Sequence, residues 1–232
     1  MIKQLEGEFV PWDLFSARVL GAYRSYGDAL CWTQDGASVM SLVNGFVFLA
    51  AKESADWEEL TAFLQMQPWA QMQCGEEVAA KLPFRSDWAG LVFRFVGQKQ
   101  APMAPMDYSI NPGPAAIFDL LKRCGFHLGD RAEWMADLAM RWRKGTARSW
   151  LLGDACTASA IDITDTHVYV SVVGTAPEHR GKGLAGQLLT HICGYYRGRT
   201  VWLTCGEGMR GFYESIGFEA AGRAVMMNKE AA

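Results

Sequence analysis

Two periods of apolar spacing alternate along the second half of the chain. Residues 167–173 read His-Val-Tyr-Val-Ser-Val-Val, a β-branched and aromatic run that predicts a strand. From Leu184, apolar residues fall at 184, 185, 188, 189, 192 and 193, predicting a helix over 184–194 with one face turned to a core. Residues 200–205 read as a further strand, 209–216 as a short helix and 218–228 as a last strand. Upstream, 115–124 predicts a helix stopped by Gly125. A second helix over 131–143 sets Trp134, Leu138 and Trp142 on one face. Strands at 149–152 and 156–163 follow, joined at Gly153-Asp154.

The first half carries a similar order. The pattern predicts a helix over 13–26, strands at 29–33, 38–43 and 46–51, and a helix over 56–65 with Ser54 as a possible cap. A strand at 70–74, a helix over 76–82 and a strand at 90–96 complete it. The apolar run 38–51 is interrupted by Asn44 and Gly45 and is too short to span a bilayer. It reads as two buried strands or one bent strand. Pro102, Pro105, Pro112 and Pro114 crowd one stretch and mark a linker. The expected division is a domain over 1–102 and a second over 103–232. The expected fold class is α/β, with a mixed α+β sheet.

The chemistry concentrates between the strand at 167–173 and the helix at 184. There the chain reads His179-Arg180-Gly181-Lys182-Gly183-Leu184-Ala185-Gly186. A strand, a glycine-rich turn and a helix start form an anion site, because free N–H groups and the positive helix end face the ligand. Gly181 and Gly183 let a phosphate approach the backbone, and Arg180 and Lys182 add charge. A Walker A loop is excluded because Gly183, not Ser or Thr, follows Lys182. A dinucleotide fingerprint is excluded because the loop lies late in the chain and no strand ends in an acidic residue at the required distance.

After the strand at 200–205 the chain reads Arg210-Gly211-Phe212-Tyr213-Glu214-Ser215-Ile216-Gly217-Phe218. An Arg-x-x-Gly-x-Ala loop, a strand, then Phe-Tyr-Glu-x-x-Gly-Phe resembles the GNAT superfamily of N-acetyltransferases. Arg180, Gly183 and Ala185 fall on the loop consensus, and Tyr213, Gly217 and Phe218 on the second motif. The resemblance is specific over 167–228. It implies a GNAT fold in the C-terminal half, preceded by a smaller GNAT-like or unrelated α+β domain. It also implies direct acyl transfer from acetyl-coenzyme A (acetyl-CoA) to an amine. The pyrophosphate would sit on Arg180, Gly181, Lys182, Gly183, Leu184 and Ala185. The pantetheine arm would run beside Val172, Val173 and Thr175, where a backbone amide could also stabilise the oxyanion.

Tyr213 matches the tyrosine that protonates the leaving thiolate in many members. A phenol of pKa near 10 suits a thiolate of pKa near 8.5. The competing reading is a packing aromatic beside Phe212 and Phe218. Where the family often carries an Asn seven residues earlier, this chain has Gly206. Candidate general bases are Asp162, Asp165, His167 and Glu207, with no spacing to choose among them. In the N-terminal half, Glu53-Ser54-Ala55-Asp56-Trp57-Glu58-Glu59 stands where the loop would be. Those carboxylates would repel a pyrophosphate, so one cofactor per chain is expected.

Composition narrows the partners. Half of the 232 residues are hydrophobic and 20% are charged, enough for a sizeable core. A net charge of −3 argues against bulk nucleic-acid attraction. The basic run Arg141-Trp142-Arg143-Lys144 with Arg148 reads as a solvated helix end, or as a lure for an acidic substrate or RNA. Six cysteines without a C-x-x-C pair read as reduced, mostly buried thiols. His179 and His191 have no clustered ligand residues, so no metal is expected. The N-terminus has no apolar secretory core. The expectation is a cytoplasmic acyltransferase acting on a small-molecule or peptide amine, with no nucleic acid or membrane partner. The alternative is a non-catalytic acyl-CoA-binding or regulatory protein.

Overall fold

The structure, a computed structural model, describes residues 1–27, 30–97 and 107–229. The strand start expected at Ala29, the division expected near 102, and Pro102 and Pro105 lie outside the described residues. In chain order the elements are β1 (Ile2–Gln4), α1 (Leu14–Tyr26), β2 (Cys31–Gln34), β3 (Ser38–Val43), β4 (Phe46–Ala51), α2 (Trp57–Met66), β5 (Gln71–Gly75), α3 (Glu76–Ala79) and β6 (Arg85–Phe95). There follow β7 (Ser109–Ile110), α4 (Pro114–Arg123), α5 (Arg131–Lys144), β8 (Ala147–Leu152), β9 (Cys156–Ile161), β10 (His167–Thr175), α6 (Leu184–Tyr195), β11 (Thr200–Cys205), α7 (Arg210–Ser215) and β12 (Phe218–Asn228). Two compact units divide them. The first gathers Met1–Val92, Thr204–Gly208 and Ala220–Ala232; the second gathers Phe93–Leu203 and Met209–Glu219.

In the first unit, β1 to β4 pair antiparallel in order, and β5 runs parallel to β4. Asn44 and Gly45, at φ +50° and +75°, close β3 onto β4 as a two-residue turn. The apolar run 38–51 is therefore two strands. The Asp13 carboxylate starts α1 in a capping box with Ser16. Asp56, not Ser54, caps α2: it directly precedes the helix, and its carboxylate accepts from the Glu59 N–H at 3.0 Å. The far end of the chain completes this unit. Ala224–Asn228 of β12 pair antiparallel with β5, and Val225 and Met227 enter a core with Leu49, Leu60, Leu64 and Met72.

In the second unit, β7, β8, β9 and β10 pair antiparallel, and β11 runs parallel to β10. On one face Ile117 and Leu121 of α4 and Leu138 of α5 bury against Ala147 of β8, with Trp134 and Trp142 packed on the cluster. Trp150 of β8, fully buried, turns to the other face and meets Tyr195 and Tyr196 at the end of α6 edge-on. Asp130 caps α5 and Gly145, at φ +71°, ends it. Both units thus contain a run of three consecutive antiparallel strands, β2–β4 and β8–β10, followed by a helix and a parallel strand.

Candidate active site

The site grows from an irregularity in β10. Between Ser171 and Gly174 this strand advances three residues while β9 advances two, from Ser159 to Thr157. The extra residue is a β-bulge, and Val172 within it takes φ +46°, a conformation rare for a β-branched side chain. The parallel ladder with β11 covers only His167–Tyr169. Val172, Val173 and Thr175, all half-buried, therefore lie beyond the paired stretch on the β11 side. Their backbone groups there suit an extended ligand that completes the ladder.

Beyond β10 the chain makes one tight turn at Pro177–His179 and reaches the glycine loop. Gly181 and Gly183 sit at φ +75° and +74°, where an L side chain is strained. Gly183 is the N-cap of α6 and offers no side-chain acceptor. The N–H groups of the first turn, at Leu184, Ala185 and Gly186, have no acceptor inside the helix. A Cβ at Gly181 would meet nothing within 4 Å, and one at Gly183 only Gln187 Nε2 at 3.8 Å. The cradle is open, exposed and lined by donors, which fits a pyrophosphate.

The basic residues of the loop do different work. Arg180 donates from Nε to the Thr175 carbonyl at 3.2 Å and from Nη2 to the Cys124 carbonyl at 3.3 Å. It ties the loop to the end of β10 and the end of α4. Lys182 is exposed, with Nζ 3.4 Å from His179 Nδ1. Glu178, the nearby carboxylate, is taken up by Arg123. Its own backbone N–H, then Arg123, hold it below the usual carboxylate range. The start of α2 is the opposite case. Asp56 takes the Glu59 amide, and Glu59 accepts from the Ile2 N–H and from Gln34 Nε2, both at 2.7 Å. Those two donors, the Ile2 N–H first, hold Glu59 low.

Tyr213 lies on α7 and is 7% exposed. Its ring centroid is 5.0 Å from Phe212, 5.7 Å from Phe93 and 5.8 Å from Phe218. The motif glycine next to Phe218 has a steric reason: a Cβ at Gly217 would fall 1.8 Å from the Gly97 carbonyl oxygen.

Beside the bulge is a cavity of about 160 Å³ that the sequence reading did not anticipate. Trp134, Asp137, Leu138 and Arg141 of α5 line it opposite Ser171 and Val172. Asp137 and Arg141 are one turn apart, a spacing visible in the sequence, and pair at 3.1 Å.

The base candidates do not converge. Asp162, 2% exposed, receives Arg141 Nη1 at 2.8 Å. Glu207 receives Arg223 Nη1 at 2.6 Å, in the first unit. His167 stacks on Trp202 at 6.3 Å, its Nδ1 2.8 Å from Thr166 Oγ1. Asp165 is exposed at the turn before β10. Among the described residues, no three His, Cys, Asp or Glu side chains are gathered to hold a metal, and no helix is long and apolar enough to cross a membrane.

Residues 163–221 match the family described as an acetyltransferase (GNAT) domain, the stretch that carries β10, the glycine loop, α6 and α7. No curated protein matches the chain significantly. Solved structures do. A GNAT-family acetyltransferase from Colwellia psychrerythraea is similar over 98% of this chain and 99% of its own, at 14% identity and a TM-score of 0.57. A GCN5-related N-acetyltransferase from Sphaerobacter thermophilus is similar over 91% of this chain and 84% of its own, at 16% identity and a TM-score of 0.61. A tandem GNAT protein from the clavulanic acid biosynthesis pathway covers 94% of this chain and 89% of its own, at 13% identity and a TM-score of 0.55. The chain has the mixed α/β fold of these GNAT structures.

Proposed function

We propose that the chain is a cytoplasmic acetyl-CoA-dependent N-acyltransferase with one active site, in its C-terminal domain. The observation that carries this reading is the open N-terminus of α6, donor-lined and without a side-chain cap, within a stretch that matches an acetyltransferase domain. Acetyl-CoA would supply an activated thioester. The N–H groups from Gly181 to Ala185 hold its pyrophosphate, with Lys182 as the nearby cation, while the Arg180 N–H is spent on the Pro177 carbonyl. The N–H and carbonyl groups of Val172, Val173 and Thr175 orient the pantetheine arm as an added strand would be oriented. An N–H of that stretch donates to the acyl oxygen as charge gathers on it. Tyr213 gives its phenolic proton to the departing sulfur.

The acceptor amine enters the cavity beside Val172. It loses one proton to solvent, its nitrogen attacks the acyl carbon as the C–S bond breaks, and the second nitrogen proton leaves to solvent, which reprotonates Tyr213; its apolar part meets Trp134 and Leu138. We read the chain as a tandem, divided near residue 102, whose first domain is a degenerate GNAT-like copy. What supports this is the shared order of pairings, together with the contrast between two helix starts. That of α6 has no side-chain cap, whereas at that of α2 the Asp56 carboxylate takes the Glu59 N–H.

The test is thiol release from acetyl-CoA with a panel of small amines and peptide N-termini. Amine-dependent release supports the proposal. Saturable binding without release for any amine would select the non-catalytic acyl-CoA-binding alternative. Absence of binding would overturn both.

A further inference from the structure

At the opposite end of α6 from the glycine loop lies a second cavity, of about 410 Å³. Trp142, Arg148, Tyr195, Tyr196, Arg197 and Arg199 form its walls. The helix has 12 residues, which puts this end about 18 Å from the phosphate-binding amides. The two places are separate sites on one helix.

Three features of the cavity point the same way. No carboxylate lines it. Arg148, Arg197 and Arg199 have no carboxylate partner among the described residues, as is also true of Arg94, Arg143 and Arg180, but only here do three such arginines line one cavity. The contacts Arg148 and Arg199 do make are with phenol rings: Arg148 over Tyr195 at 4.8 Å and Arg199 over Tyr196 at 5.6 Å, with Arg148 also donating to the Tyr195 hydroxyl. The third feature is a buried donor. Trp142 Nε1 is buried without an acceptor. Burial also pushes the Tyr196 phenol up to about 12, so it stays protonated and able to donate.

An ordinary explanation exists for two of the arginines. Arg197 and Arg199 follow the C-terminus of α6, whose dipole attracts cations. The C-terminus of α5, at Trp142 and Gly145, also borders the hollow, but each dipole amounts to about half a charge and fades within one turn, so the two together do not balance three guanidinium groups. The chain as a whole is acidic, so the cluster does not reflect general basicity.

We propose that this cavity binds the phosphoryl group of a small phosphate monoester, at a site distinct from the acetyl-CoA site. A monoester carries nearly two charges at neutral pH and three acceptor oxygens. Guanidinium forks match those oxygens in pairs. A carboxylate has too few acceptors for this set of donors. The mostly polar lining suits a charged ligand, and its volume suits a compact one.

The experiment is calorimetric titration of the full chain with glycerol 3-phosphate and with a single-stranded oligouridine, at constant ionic strength. It is done in a Gly183→Asp background, so that the glycine loop cannot contribute. We expect saturable binding of glycerol 3-phosphate, weakened at least about tenfold by Arg197→Gln with Arg199→Gln. The pair Arg197→Lys with Arg199→Lys keeps the charge that a helix dipole needs but loses the forks. It should weaken the phosphate ester similarly while leaving the melting temperature unchanged. With Gly183 intact, both pairs should leave acetyl-CoA affinity unchanged. No saturable binding at millimolar glycerol 3-phosphate would overturn the proposal. So would full binding in the lysine pair, which would reduce the arginines to dipole partners. Tight oligouridine binding without monoester binding would overturn it in favour of a nucleic-acid surface.

Discussion

Gly186 and Ile216 stand face to face. A Cβ at Gly186, in the first turn of α6, would lie 3.4 Å from Ile216 Cγ2, with Phe212 Cε2 next at 3.8 Å. The helix that presents the phosphate-binding amides and the helix that carries Tyr213 therefore meet at a point with room for one methyl group. Gly186→Ala should be accepted, with a stability gain of up to about 1 kcal/mol from helix propensity. Gly186→Leu should overpack the contact at a cost of about 1–3 kcal/mol and displace α7. Turnover should then fall further than acetyl-CoA affinity. Thermal melts and steady-state kinetics on the two variants check this, and equal kinetics in both would refute the coupling.

Tyr213→Phe keeps the ring contacts with Phe93, Phe212 and Phe218 and removes the proton donor. A positioned acid contributes about 10²–10⁴ in rate, so kcat should fall by that order with little change in acetyl-CoA affinity or melting temperature. Unchanged turnover with the best amine would return Tyr213 to a packing role.

How far the sequence could be read depends on the range of the interaction. The glycine loop and α6 were legible because their signals are local: two glycines, a run of helical spacing and a strand before them. The order of strands and helices in both halves was legible for the same reason. The bulge at Val172 was not. Val168 to Val173 looks like an unbroken strand, and the extra residue exists only in register with β9. Asp162 falls within the strand expected over 156–163, but β9 ends at Ile161 and Asp162 takes φ +50°. Nothing near it in sequence announced that Arg141 would claim its carboxylate. The pairing of β12 with β5 joins distant segments and leaves no local trace. β1 and β7 are too short to carry a period.

That long-range pairing makes a stability prediction. Val225 is 4% exposed in the core of the first unit, although it lies near the C-terminus. Val225→Asp buries a carboxylate without a partner and should cost more than about 3 kcal/mol. Ala221→Asp, at an exposed position on the same strand, should cost less than about 0.5 kcal/mol. Denaturant unfolding of both variants measures the difference, and equal midpoints would contradict the pairing.

His191 on α6 predicts an acid-sensitive term. Its ring lies 4.4 Å from that of Tyr108, its Nε2 is buried without a partner, and burial lowers its pKa from 6.5. Below pH 6.5 the unfolded chain takes a proton that the folded chain resists, so stability falls with pH until the lowered folded value is passed. His191→Phe keeps an aromatic ring beside Tyr108 and removes the titration. Melting temperature measured across this range should fall less steeply in the variant than in the wild type. Parallel curves would show that His191 contributes nothing.

The most direct measurement is calorimetric titration of acetyl-CoA into the wild-type chain and into Gly183→Asp. The account predicts one site per wild-type chain, since the start of α2 is capped by Asp56 and carries the Glu58 and Glu59 carboxylates. It also predicts at least about a hundredfold weaker binding in the variant, because losing two or three charge-assisted hydrogen bonds costs roughly 1.5–3 kcal/mol each. A stoichiometry near two, or wild-type affinity in a folded Gly183→Asp chain, would contradict it.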